Sequence, residues 1–280
     1  MQRPLGLIAG LGQFPFEVAR AARLGGDRVF AAAVRELTDP ALEDEVDEIR
    51  WFHLGELESF LGAFREAGVR DAIMAGKVPK DFLLRDPASL RLDGLALEVL
   101  AGLADRKDDS LLGAFARALE GGGVRVHGQA SFTPQLLVAE GVAGSAVPDA
   151  ALLANVAFAW PIAKTIAGLD VGQSVVVKDR AVLAVEAIEG TDAALERAYH
   201  VGGPGCVLVK VAKPNQDPRF DVPVIGRDTV DLLRRVNAAG LAVEAGQTVF
   251  LQRDAALSSA DKAGIVILGV AEDGPGEGLL

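Results

Sequence analysis

The chain has 280 residues, half of them hydrophobic, which is enough to bury a sizeable core and excludes a disordered polymer. Its net charge of -11 excludes a general nucleic-acid binder, whose surface would be basic. A single cysteine, Cys206, excludes an intramolecular disulfide and fits a reducing compartment.

The first half alternates strand and helix signals. Leu5–Ala9 reads as a buried strand, and residues 14–24 follow with helical spacing and a Gly25-Gly26 stop. Residues 28–34 and 49–54 read as strands, 57–67 as a helix ending at Gly68, and 71–75 as a fourth strand. Helices are expected over 92–104 and 110–120, then a strand over 124–127. Such alternation implies a mostly parallel sheet covered on both faces, a Rossmann-like N-terminal domain over 1–130.

A second α/β domain with a mixed sheet is expected over 131–280. Residues 149–167 read as one long helix kinked at Pro161. Its apolar residues fit either a core helix or a groove for a greasy ligand, and its polar residues argue against a membrane span. The runs 174–177 and 181–187 read as a hairpin turning at Lys178-Asp179-Arg180. A helix over 191–199, the strand containing Cys206, a helix over 229–239, strands at 241–244 and 249–252, a helix over 255–263 and a strand over 265–270 complete the chain. The amino-terminal apolar patch reads as a strand rather than a signal peptide, so a cytoplasmic protein is expected. Peripheral contact with the inner membrane and homo-oligomer formation are left open.

Between the Cys206 strand and Thr229 the chain carries Lys210, Lys213, Asn215, Gln216, Asp217, Arg219, Asp221 and Arg227 among three prolines. Prolines stiffen such a loop, cations suit phosphate oxygens, and carboxylates suit a hard metal ion. Asp217 and Asp221 would stand about 13 Å apart in an extended chain, so a shared ion requires a turn at Pro218. Gly10-Leu-Gly12 opens a helix after the first strand and fits either a plain tight turn or a phosphate-holding loop; Pro15 spoils the dinucleotide fingerprint. Lys77 follows the fourth strand, where α/β sheets place ligands. Thr191 and Asp192 follow Glu186 and Glu189 at a corner, as helix caps or as site residues. Asp108, Asp109 and Ser110 read as caps. The three histidines are scattered, which disfavours zinc.

Three stretches carry a resemblance. VKVAKPNQDPRFDVPVIGRDT (209–229), VLAVEAIEGTDAALERA (182–198), and LGLIAGLGQFP (5–15) with MAGKV (74–78) are similar to the bacterial UDP-2,3-diacylglucosamine pyrophosphatase family of lipid A synthesis, over nearly the whole chain. The resemblance implies an acylated UDP-sugar as substrate, cleaved by water to UMP and 2,3-diacylglucosamine 1-phosphate, with magnesium as cofactor. On that basis Asp221 and Asp217 are the catalytic candidates, and Asp217, Asp221 and Asp192 the metal candidates. Lys210, Lys213, Arg219 and Lys77 are assigned to phosphates, Gln216 and Thr191 to polar contacts, and Gly10 and Gly12 to a loop that approaches the substrate. Two other classes remain: a noncatalytic nucleotide-binding module using Gly10 and Gly12, and an NADP-linked oxidoreductase using Arg35.

Overall fold

A computed structural model describes residues 4–78, 91–103, 108–214, 216–220 and 222–276, with the side chains of 108–110 set aside. The chain divides into two compact units: Met1–Pro134 with Asp217–Asp221, and Gln135–Gln216 with Val222–Leu280.

In the first unit, β1 (Leu5–Ala9), β2 (Val29–Val34), β3 (Glu48–Phe52), β4 (Asp71–Ala75) and β5 (Arg125–His127) form an all-parallel sheet in the order β3-β2-β1-β4-β5. The central strands are almost wholly buried, as continuous apolar runs between two helical layers require. The helices are α1 (Phe14–Leu24), α2 (Leu57–Ala67), α3 (Gly94–Ala101) and α4 (Asp108–Gly121). Phe60, Phe64 and Leu119 pack with Phe30 and Met74 as one core. Thr38 ties the turn after β2 to the end of β1, its hydroxyl donating to Ala9 O at 2.6 Å. Two helices depart from the sequence expectation. α3 starts at Gly94 because Asp93 caps it, accepting from Ala96 N at 2.9 Å, and α4 opens at Asp108 rather than Ser110.

The second unit holds a six-stranded mixed sheet in the order β6-β13-β11-β9-β7-β8: β6 (Gly141–Ala143), β7 (Ser174–Lys178), β8 (Ala181–Val185), β9 (Val207–Lys210), β11 (Gly240–Glu244) and β13 (Val266–Val270). β9, β11 and β13 run parallel, while β6, β7 and β8 pair antiparallel to their neighbours. β10 (Val224–Ile225) and β12 (Val249–Phe250) pair separately. The expected hairpin forms: Asp179 and Arg180 both have positive φ, the geometry of a two-residue turn, and Asn155 Oδ1 accepts from Arg180 N at 2.8 Å.

Alternation along the strands divides the core. Val175, Val177, Val207, Val209 and Ala242 face α5 (Ala150–Gly168) and its Leu152, Val156 and Trp160. Val176, Leu208, Leu241 and Val243 face the opposite cluster, with α6 (Thr191–Gly202), α7 (Arg227–Arg235) and α8 (Arg253–Ala263). Of the α5 side chains considered for a ligand groove, Leu152, Leu153, Val156 and Trp160 are core residues, while Phe158 and Ile162 are only partly buried against the core. That helix is long and apolar enough to cross a membrane by length and composition, but its buried stripe packs on the sheet. Helix α7 also differs from expectation. It begins at Arg227 and ends at Arg235, so Arg227 is a helical residue paired with Asp231 rather than part of the loop.

Candidate functional site

A sheet in the order β3-β2-β1-β4-β5 reverses its winding between β1 and β4, and the crevice beyond their carboxyl ends is the usual ligand position. Here the loops after β1 and β4 meet. Gly10 N donates to Ala75 O at 2.8 Å, and Leu11 and Lys77 exchange two backbone hydrogen bonds of 2.9 Å. A side chain on Gly10 would begin 2.8 Å from Lys77 O, and one on Gly76 (φ +97°) 2.7 Å from Gly10 C. Glycines are required at this crossing by close approach. The loops carrying Gly10, Gly12 and Lys77 are thus brought together, with Gly12 and the Lys77 side chain exposed. The amide of Gly10, however, is committed to Ala75.

Residues 217–220 of the C-terminal motif belong to this same unit and sit at the end of β5. Gln129 N donates to Pro218 O at 2.7 Å, and Gln129 Nε2 donates to Met74 O at 3.0 Å. The turn expected at Pro218 forms, with Phe220 N donating to Asp217 O at 3.3 Å. Phe220 packs against the core of the unit. Asp217 and Arg219 engage each other. Arg219 Nη2 lies 2.7 Å from Asp217 Oδ2, Nε lies 3.0 Å from Oδ1, and the Arg219 amide donates to Oδ1 at 3.0 Å. The hydrogen bonds from Arg219 hold the Asp217 carboxyl below its ordinary value of 3.8 despite partial burial. The same bonds raise Arg219, whose Nη1 also reaches Glu120 Oε1 at 2.9 Å. Asp221 and Asn215 lie outside the described residues.

The second unit collects polar groups at the carboxyl end of β9. Thr191 Oγ1 donates to Glu186 Oε1 at 2.9 Å, receives Lys210 Nζ at 3.3 Å and lies 3.2 Å from Ser174 Oγ. Thr191 does not cap α6; Gly190 occupies that position, and Asp192 is exposed in the first turn. Beyond β9, Gln216 Oε1 accepts from Lys213 N at 3.0 Å, and Lys213 Nζ lies 3.0 Å from Asp170 Oδ1. Buried Glu244, at the end of β11, accepts from Ala212 N at 2.8 Å and from Lys164 Nζ at 3.1 Å on both oxygens. Gln173 Oε1 and Gln216 Nε2 are buried without partners, two polar atoms able to serve a ligand.

Sequence reasoning missed Glu244, Lys164, Gln173 and Ser174, whose convergence comes from strands distant in the chain. A pattern of carboxylates at strand ends could have flagged Glu244 alone. Arg227 stays apart from these groups, in its pair with Asp231. Burial pushes the Cys206 thiol up, as expected of an inert core residue. Among the described residues no three His, Cys, Asp or Glu side chains gather as a metal site. With Asp217 held by Arg219, the described donors do not build a magnesium cage.

The LpxI N-terminal domain family matches residues 4–136, and the LpxI C-terminal domain family matches 139–268. A relative from Caulobacter vibrioides, named UDP-2,3-diacylglucosamine pyrophosphatase LpxI, is 33% identical over 281 residues, covering 96% of this chain and 98% of its own. Among solved structures, the biotin carboxylase domain of a thermophilic 2-oxoglutarate carboxylase aligns at a TM-score of 0.28 and 15% identity, over 73% of this chain and 34% of that one. The corresponding Hydrogenobacter thermophilus domain gives 0.28 and 14%, over 71% and 41%. The chain thus spans well under half of those structures, and likeness at that level carries no argument. The near full-length relative and the two domain matches do: the chain belongs to the LpxI family.

Proposed function

We propose that this protein hydrolyses the pyrophosphate of UDP-2,3-diacylglucosamine to UMP and 2,3-diacylglucosamine 1-phosphate in lipid A biosynthesis. The observation that carries this reading is the 33% identity to a relative of that name along 98% of its length. In the reaction, water oxygen bonds to one phosphorus as the bridging P–O bond breaks. The bridging oxygen leaves with the electron pair, and the water proton is lost. Negative charge grows on nonbridging oxygens, which positive and hydrogen-bonding groups stabilise.

In this reading Lys210 and Lys213 serve the phosphates, and Thr191 holds the Lys210 ammonium beside Glu186. The unpartnered Gln216 Nε2 offers a donor to the substrate. Lys77, beside Gly76 where the β1 and β4 loops cross, is a cation that the N-terminal unit by itself offers to an anion. Asp221 orients the attacking water. Magnesium generally binds through one or two carboxylates together with substrate phosphates; Asp221 would hold such an ion, which would supply positive charge to the phosphate oxygens. The protein works in the cytoplasm, at the inner-membrane surface where a diacylated substrate resides.

The test is incubation of the purified protein with the acylated UDP-sugar, with and without chelator. Release of both products, lost on chelation and restored by magnesium, is expected. No release in the presence of magnesium would overturn the function, and full turnover in excess chelator would remove the metal. Asp221→Ala is expected to bind substrate and melt normally but not turn over, whereas Lys213→Ala weakens binding as well as rate. Near-normal turnover of Asp221→Ala would remove its assigned role.

A further inference from the structure

Arg219 does more than neutralise Asp217. Its guanidinium forks between the turn that carries it and helix α4, reaching Asp217 through Nε and Nη2 and Glu120, 99 positions earlier in the chain, through Nη1. The carboxylates on its two sides raise its affinity for its proton, so the fork is permanently charged. A single exposed ion pair contributes little. The Asp217 half of this fork differs in geometry: the Arg219 side chain is only 24% exposed, the contact to Asp217 is bidentate and the Arg219 amide reinforces it, while Glu120, 42% exposed, adds one hydrogen bond that ties the fork to α4. Pro218 O holds Gln129 N at 2.7 Å on one side of the turn. On the other, Phe220 packs, partly buried, against the core, its ring 3.9 Å from where a side chain on Gly113 of α4 would begin. Arg219 also lies over that ring, 5.7 Å from its centre. Helix α4, the end of β5 and a stretch of the C-terminal motif are therefore fastened at one place.

We propose that Glu120 is a positioning residue for the pyrophosphatase reaction: through Arg219 it seats the Asp217–Phe220 turn at the carboxyl end of β5, and so the point from which the chain continues into Asp221. Glu120 itself touches no substrate. The assignment rests on the proposed pyrophosphatase activity. It also makes Arg219 a structural link rather than a phosphate ligand. A loop whose anchor is lost by an ångström loses rate far more than affinity, on the order of a hundredfold for a misplaced catalytic group.

The test is a double-mutant cycle of Glu120→Ala and Arg219→Ala, read in kcat, KM and backbone amide exchange, with Glu120→Gln as a second variant should the alanine form fold poorly. Each single change is expected to lower kcat tenfold or more with KM within about twofold, and the double variant to be no worse than the worse single, since both sever one link. Amide exchange is expected to quicken at residues 217–220 and at Gln129 in the Glu120 variants, while the rest of the N-terminal unit keeps its protection. Wild-type kcat in both Glu120 variants, unchanged exchange of the turn, or losses that multiply in the double variant would overturn the proposal. A raised KM in Arg219→Ala with Glu120 silent would do so as well, since it would make Arg219 a direct phosphate ligand. Wild-type protein without turnover would instead sink the pyrophosphatase reading, while the exchange data would still report whether Glu120 anchors the turn.

Discussion

At the scale of the residue, Asp217 and Arg219 form a bidentate pair whose strength depends on the carboxyl staying ionised. Hydrogen bonds from Arg219 lower the folded-state pKa of Asp217 below the ordinary 3.8. The unfolded chain therefore binds its proton first as pH falls, so the pair stabilises the fold fully above that value and loses its contribution as pH drops through the lowered one. Asp217→Asn is expected to cost about 1 kcal/mol at pH 7, allowing for the partial exposure of the pair, with the gap to wild type closing at a pH well below the ordinary 3.8. Denaturation curves at both pH values check this; an equal gap at both would mean that the charge is not what holds the turn. Some of this chemistry was legible in the sequence. Gly10, Gly12 and Lys77 could each be placed beyond the end of a strand, where α/β sheets carry their ligands, but their meeting could not be read from the sequence. The Asp217–Arg219 pair could not be foreseen from residue types, since a carboxylate beside prolines suits a metal equally well until the turn brings the guanidinium back onto it. Glu120 carried no signal at all, being one acid on an exposed helix face.

At the scale of the element, the crossing of the β1 and β4 loops depends on a contact that no side chain could enter. Gly76 needs both its positive φ of +97° and the absence of a Cβ, which would lie 2.7 Å from Gly10 C and 2.9 Å from Leu11 O. Gly12 has a similar φ of +102° but nothing within 4 Å of a Cβ. Gly76→Ala is therefore expected to destabilise by about 2–4 kcal/mol, strain and clash together, and Gly12→Ala by about 1 kcal/mol, strain alone. Chemical denaturation of the two variants separates the terms, and equal losses would deny the clash. The buried strands were readable because continuous β-branched runs leave few alternatives. The ends of α7 were not. Its start lies at Gly226 and Arg227, and its end comes before Asn237, which takes the left-handed conformation at φ +49° where a sequence scan waits for Gly240. The three-residue edge strand β6 was too short to show an alternation.

At the scale of the whole molecule, the break in α/β alternation near Ala130 is visible in composition, whereas the return of Asp217–Asp221 to the first unit is not. Long-range insertion of this kind rests on a few contacts, here Phe220 against the core and Pro218 on Gln129, and neither leaves a periodic mark. A fragment ending at Pro134 would leave the Phe220 place unfilled and the Gln129 amide without its acceptor. Such a fragment is expected to be less stable than the same unit in the full chain by about 1–2 kcal/mol, less than a fully buried ring would cost because Phe220 is only partly buried. Calorimetry or amide exchange on the fragment and the full chain gives the comparison, and equal stability would show that the inserted turn is only a passenger. The insertion also sets a schedule for biosynthesis. A ribosome adds about 5–20 residues per second, and Phe220 is made about 85 residues after Pro134. For several seconds of every round of translation, the nascent N-terminal unit waits with an apolar face uncovered that only a later part of the same chain can cover.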